Sequence, residues 1–130
     1  RPVPTPLDSP ARCILLPLPV DPGDWRLRHK TTDRGFYADV LAAAHEMDAH
    51  EALLVRDDGC VTEGSWTSVF VQRDGKLLTP RLGLGLLPGV FRQSLIEEGR
   101  AVEAELTLDD LADGFLIGNA LRGVMRARLI

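Results

Sequence analysis

Two Asp-Gly turns do more than any other feature to limit the folds open to this chain. Asp57-Asp58-Gly59 stands between Ala52–Arg56 and Cys60–Thr62, and Asp74-Gly75 between Ser65–Gln72 and Lys76–Thr79. Short β-prone runs broken by Asp-Gly read as hairpins, because glycine enters left-handed turn conformations without steric cost. The middle of the chain is therefore expected to be an antiparallel meander.

Helical periodicity flanks that block. Tyr37, Val40, Leu41, Ala44 and Met47 form one apolar stripe, which predicts a helix from about Gly35 to Asp48, capped by Thr32 or Asp33. A second helix begins at Pro88, carries Val90, Phe91 and Leu95, and stops before Gly99. Val102, Ala104 and Leu106 alternate with Glu103 and Glu105 as a half-buried strand, and Thr107-Leu108-Asp109-Asp110 fits a capping box opening a single helical turn. Strands at Phe115–Ile117 and Gly123–Leu129 complete an α+β domain: a curved, largely antiparallel sheet with two main helices.

The first ten residues hold four of the nine prolines and read as a linker. Cys13–Val20 is apolar and β-prone, but Pro17 and Pro19 lack backbone donors, so an edge strand or extended connector is expected. The chain thus divides into a proline-rich linker and edge segment, 1–24, and a folded domain, 25–130. A start at Arg1 rather than methionine suggests a domain belonging to a longer polypeptide.

A net charge of −4 argues against a nucleic-acid partner. Arg122, Arg126 and Arg128 read instead as a solvated strand face. Cys13 and Cys60 have no metal-ligand spacing and no disulfide framework, which points to a reduced, cytoplasmic setting and no metal site. No apolar run approaches a membrane span.

Lysine is scarce: Lys30 and Lys76 stand against thirteen arginines. Only lysine offers a primary amine that can act as nucleophile and base once its pKa falls. Lys76 sits at a hairpin tip, whereas Lys30, in His29-Lys30-Thr31-Thr32, lies between an extended segment and a helix start. Val61-Thr62-Glu63-Gly64-Ser65 places a carboxylate between two strands, where the plain alternative is a surface glutamate beside a turn glycine. Gly83-Leu84-Gly85-Leu86-Leu87-Pro88-Gly89-Val90 is a glycine-rich approach to a helix N-terminus, whose unpaired amides suit a phosphate. A lysine amine, a carboxylate for a pyridine nitrogen and a helix end for a phosphate are what a pyridoxal 5'-phosphate enzyme requires.

The order of these parts resembles the class IV (fold type IV) aminotransferases and lyases. The matching residues are Glu63-Gly64-Ser65-Trp66-Thr67-Ser68-Val69-Phe70, then Leu77-Leu78-Thr79-Pro80, then Leu87-Pro88-Gly89-Val90-Phe91-Arg92. The resemblance implies that Lys30 is the Schiff-base lysine and proton shuttle, and that Glu63 partners the pyridine nitrogen. It further implies that the Val90 and Phe91 amides hold the phosphate. Gly118-Asn119-Ala120 matches a later phosphate loop, with Asn119 where many aminotransferases have threonine, and Ser68 replaces the usual asparagine. His29-Lys30-Thr31-Thr32 and Gly118-Asn119-Ala120-Leu121-Arg122 look most like 4-amino-4-deoxychorismate lyase domains, including those fused behind a synthase subunit in folate biosynthesis. The substrate implied is a small amine of the aminodeoxychorismate kind. Branched-chain or D-amino-acid transamination is the rival, and a cofactor-free interaction module is the reading from another class. The resemblance covers about Leu27 to Leu129, the large domain only. The smaller N-terminal domain of the family would be a missing partner, and the face it leaves bare would favour a homo-oligomer and weak cofactor binding by this chain alone.

Overall fold

The computed structural model describes residues 10–17, 35–81, 86 and 89–130. Eight strands form one sheet: β1 (Ala11–Pro17), β2 (Glu51–Val55), β3 (Val61–Gly64), β4 (Ser68–Arg73), β5 (Lys76–Pro80), β6 (Ala101–Ala104), β7 (Phe115–Asn119) and β8 (Gly123–Leu129). Helices α1 (Gly35–Glu46), α2 (Val90–Glu97) and the single turn α3 (Leu108–Leu111) complete the α+β fold.

The order across the sheet is β3-β2-β1-β8-β7-β4-β5-β6. Both expected hairpins form, β2 with β3 and β4 with β5, and β7 pairs antiparallel with β4 and β8. The continuous meander does not form. β3 and β4 lie far apart in the sheet order, because the Glu63–Thr67 turn carries the chain from one half of the sheet to the other.

The expected edge strand is in fact interior. β1 runs parallel to both β2 and β8, so residues 11–17 belong to the same sheet as the rest rather than to a lead-in segment. β8 is in register only with Ala11–Cys13, so Pro17 lies where β2 is its registered neighbour, opposite Val55. A proline at the end of a strand, with a registered partner on one side only among the described residues, costs the ladder little.

Alternation along the strands sets the two faces. Cys13, Leu53, Val69, Val71, Ile117 and Ala127 point to one face and pack with Leu106, Leu111 and Phe115 as the main core. The Val61 N–H donates to the Leu106 carbonyl at 2.8 Å, so the sheet curls until β3 meets the chain beyond β6. The opposite face carries the two main helices. Tyr37, Val40 and Ala44 of α1 cover Ile14, Ala52 and Leu54, while Leu95 of α2 covers Phe70 and Ala101. Met47 lies past the helix end and is 60% exposed, and Val102 turns outward while Ala101 packs inward, both against the expected pattern. The capping box forms as anticipated, with Thr107 and Asp110 bonded reciprocally.

Candidate active site

Glu63 is the penultimate residue of β3, every residue of which is buried. It is 6% exposed, which rules out the surface-glutamate alternative. The Tyr37 hydroxyl, one turn into α1, donates to Glu63 Oε2 at 2.5 Å. Covering α1 therefore does two things: it buries the sheet and fixes the direction of this carboxylate.

The turn that follows is organised by Glu51, a residue no sequence motif singled out. Its carboxylate, fully buried at the start of β2, accepts the amides of Ala52, Ser65 and Trp66 and the hydroxyls of Ser65 and Thr67. Burial pushes the Glu51 carboxyl above its ordinary range, and the bonds from Ser65, Trp66 and Ala52 oppose that shift. Gly64 leaves room for this cradle: a Cβ there would stand 2.5 Å from Glu51 Oε2 and 2.6 Å from Thr67 Oγ1. Tyr37 and Glu51 were illegible as site residues because their partners lie 26 and 14–16 positions away.

Asn119, at the end of β7, ties the turn to the rest of the site. Its Nδ2 donates to the Trp66 carbonyl at 3.1 Å, and its Oδ1 accepts the amides of Leu121 at 3.1 Å and Arg122 at 2.9 Å. The Arg122 guanidinium lies 4.8 Å from the Trp66 ring centre, a cation–π contact, and Trp66 Nε1 donates to the His50 carbonyl. Arg122 is thus set on an indole rather than standing free on a solvated strand face, while Arg126 and Arg128 are exposed as expected.

Val90 and Phe91 are the first two residues of α2. Its N-cap, Gly89, is extended and offers no side-chain cap, so the first amides have no partner of that kind. The Phe91 ring packs against Gly118, where a Cβ would approach Phe91 Cε2 to 3.0 Å and the Gly123 carbonyl to 2.7 Å. Arg92, fully buried, anchors the same turn by donating to the Pro80 carbonyl at 2.9 Å and pairing with Glu103. Glu63 and Asn119 are joined through the Glu63–Thr67 turn, and Asn119 and Phe91 through Gly118. Lys30, Thr31, Thr32 and the glycine-rich run 82–85 lie outside the described residues.

A buried carboxylate that accepts from a tyrosine, and helix amides without a side-chain cap, are groups of the kind that suit a phosphorylated pyridine cofactor. A curled mixed sheet carrying these groups on its helix-covered side defines a class of cofactor-binding domain, and the comparisons give its family. Residues 1–130 match the model of the class IV amino-transferases, and the chain belongs to that family, which is dependent on pyridoxal 5'-phosphate. A Schizosaccharomyces pombe protein named "Putative aminodeoxychorismate lyase" is 34% identical over 109 residues, covering 78% of this chain and 47% of that protein. The structure titled "Putative amino-acid aminotransferase" from Mesorhizobium loti superposes with a TM-score of 0.86 at 41% identity, over 97% of this chain and 63% of that one. A Mycobacterium tuberculosis protein described as "a hypothetical aminotransferase", in its PLP-bound form, gives a TM-score of 0.81 at 28% identity, over 92% of this chain and 48% of that one. The chain spans less than half the length of the curated relatives it matches.

Proposed function

We propose that this chain is the cofactor-binding part of a pyridoxal phosphate-dependent 4-amino-4-deoxychorismate lyase, with β1 and 25–130 together as the domain that carries the site. The observation that supports cofactor chemistry most directly is the buried Glu63 carboxylate, aimed by Tyr37 and linked through Trp66 and Asn119 toward the start of α2. The lyase reading is supported by the Gly118–Arg122 wording and by the S. pombe relative, whose similarity runs along most of the chain.

The roles of the residues follow from their chemistry. The Val90 and Phe91 amides hold the phosphate at the positive end of α2. Glu63, paired with Tyr37, keeps a proton on the pyridine nitrogen. Asn119 acts by fixing the turn around this pair, since its side chain bonds to the Trp66 carbonyl and to two amides. Lys30, the amine the sequence pattern assigns, serves as attachment point, takes the proton from the carbon bearing the substrate amine and returns it to the departing enolpyruvyl carbon. When bound, the cofactor supplies an electron sink for the charge left at that carbon. The substrate's carbon–oxygen bond breaks, pyruvate leaves, and the ring becomes 4-aminobenzoate. Atoms balance without a co-reactant, and the gain in aromaticity drives the step.

Transamination of a branched-chain or D-amino acid is the second reading, supported by the M. loti similarity and sharing the same proton abstraction. The complete protein, loaded with pyridoxal phosphate, is to be given 4-amino-4-deoxychorismate, or leucine with 2-oxoglutarate. 4-Aminobenzoate and pyruvate in equal amounts are expected. Glutamate formation without 4-aminobenzoate would replace the lyase reading by transamination.

A further inference from the structure

A cavity of about 460 Å³ opens where the C-terminal half of α1, the Trp66 turn and the β7–β8 turn converge. Its apolar walls include Leu41 and Leu121, and its polar groups include His45, His50 and Arg122. No carboxylate is among the described lining residues. Arg122 is held from two sides: its guanidinium rests on the Trp66 ring, and its backbone amide is fixed by Asn119 Oδ1. His50 is held as well. Its Nδ1 accepts the Arg12 amide at 2.9 Å, which leaves Nε2 to carry the ring proton and to donate. Burial, with Arg12 adding to it, lowers the pKa of His50, which favours the neutral ring.

A cavity with a pre-oriented guanidinium, a neutral N–H donor and leucine walls is complementary to an anion on a mostly apolar body. We infer that it is a carboxylate subsite for a small, largely apolar acid, with Arg122 as charge partner and His50 as second donor. The inference rests on the function proposed above, in which Trp66 and Asn119 belong to the site. It adds the recognition of the acid group by residues of this chain. The carboxylate has two sources under that reading: a ring acid of the aminobenzoate kind, or the acid of a branched aliphatic chain.

Calorimetric titration of the complete cofactor-loaded protein with benzoate, 4-methylpentanoate and benzamide tests this. Both acids share the charge, and benzamide keeps the ring without it. At least one acid is expected to bind, benzamide is expected to bind at least tenfold more weakly than benzoate, and the tighter acid identifies the source. Arg122→Met is expected to weaken the acid at least tenfold and Arg122→Lys to restore part of the loss, with cofactor absorbance and thermal midpoint retained. Failure of both acids to bind, benzamide equal to a benzoate that binds, or unchanged acid affinity in Arg122→Met would each overturn the subsite. The two proposals fail separately. Acid binding that depends on Arg122 in a protein with no lyase turnover would overturn the lyase and keep the subsite. Lyase turnover with acid affinity indifferent to Arg122 would do the reverse.

Discussion

Glu51 and Ser65 are joined twice: the Ser65 amide reaches Glu51 Oε1 at 2.9 Å, and the Ser65 hydroxyl reaches the same oxygen at 2.5 Å. With Trp66 and Thr67 on the other oxygen, one buried carboxylate at the start of β2 holds the turn leading from Glu63 to β4. Glu51→Ala would leave several buried donors unpaired, at about 1–3 kcal/mol each before relaxation. The expected loss of stability is at least about 3 kcal/mol. Gly64→Ala should also destabilise, because its Cβ would occupy the space of Glu51 Oε2. Urea denaturation of both variants checks this, and a loss under about 1 kcal/mol in Glu51→Ala would mean the cradle is not what holds the turn.

What the sequence made legible, and what it hid, divides along one physical line. The Asp-Gly hairpins, the α1 stripe as far as Ala44 and the Thr107–Asp110 cap depend on neighbours close in sequence, and all are in the fold. The interior position of β1 depends on parallel partners in β2 and β8, one of them at the far end of the chain, while its prolines speak for an edge. The site divides likewise. Glu63, Val90 and Phe91 stand in motifs with local spacing. Tyr37 and Glu51 gain their meaning only when α1 and β2 are folded against β3.

Cys13 offers a test of the core. Burial, with the nearby Glu51 charge adding to it, pushes its thiol up to about 12. Only the thiolate reacts with alkylating reagents. Cys13 should resist iodoacetamide in the native protein at pH 8 and react on unfolding, as mass spectrometry of the labelled peptide would show. Ready native labelling would contradict its place in the main core.

Asp110 gives a pH dependence. The Thr107 amide, with Arg73 second, holds its carboxyl below the usual aspartate range. A depressed folded pKa contributes stability that is present above the unfolded pKa and lost as pH falls through the folded value. Asp110→Asn should therefore be less stable than the parent at neutral pH, by roughly 1 kcal/mol, the scale of a lost interaction at a helix N-terminus. The gap should narrow below the ordinary aspartate range. Thermal midpoints measured at neutral and strongly acidic pH would show it, and a gap that widens in acid would reverse the assignment.

Tyr37→Phe isolates orientation from charge. The variant retains the carboxyl group of Glu63 but removes the Tyr37 hydroxyl that aims it. Under the proposed function, turnover should fall roughly tenfold, from a lost charge-assisted bond of about 1.5–3 kcal/mol partly offset by other contacts. Cofactor absorbance should remain, with its pH midpoint displaced. Unchanged turnover and unchanged absorbance would make Tyr37 a packing residue of α1.

Lys30 and Glu63 can be tested as a pair of distinct functions. Borohydride reduction of the loaded protein should fix the cofactor to the peptide containing Lys30, and labelling at Lys76 would remove Lys30 from the site. Glu63→Gln should leave the cofactor attached but slow turnover about ten- to hundredfold, because a neutral amide no longer keeps the pyridine nitrogen protonated. The Gln variant preserves the size of the group and the contact with Tyr37, so its effect reports charge rather than packing. It should therefore exceed the effect of Tyr37→Phe, which removes aim and leaves charge. Attachment intact with turnover reduced more in Glu63→Gln than in Tyr37→Phe would support the carboxylate as the partner of the ring nitrogen. Full activity in Glu63→Gln would leave the buried Tyr37–Glu63 pair a structural link between α1 and β3.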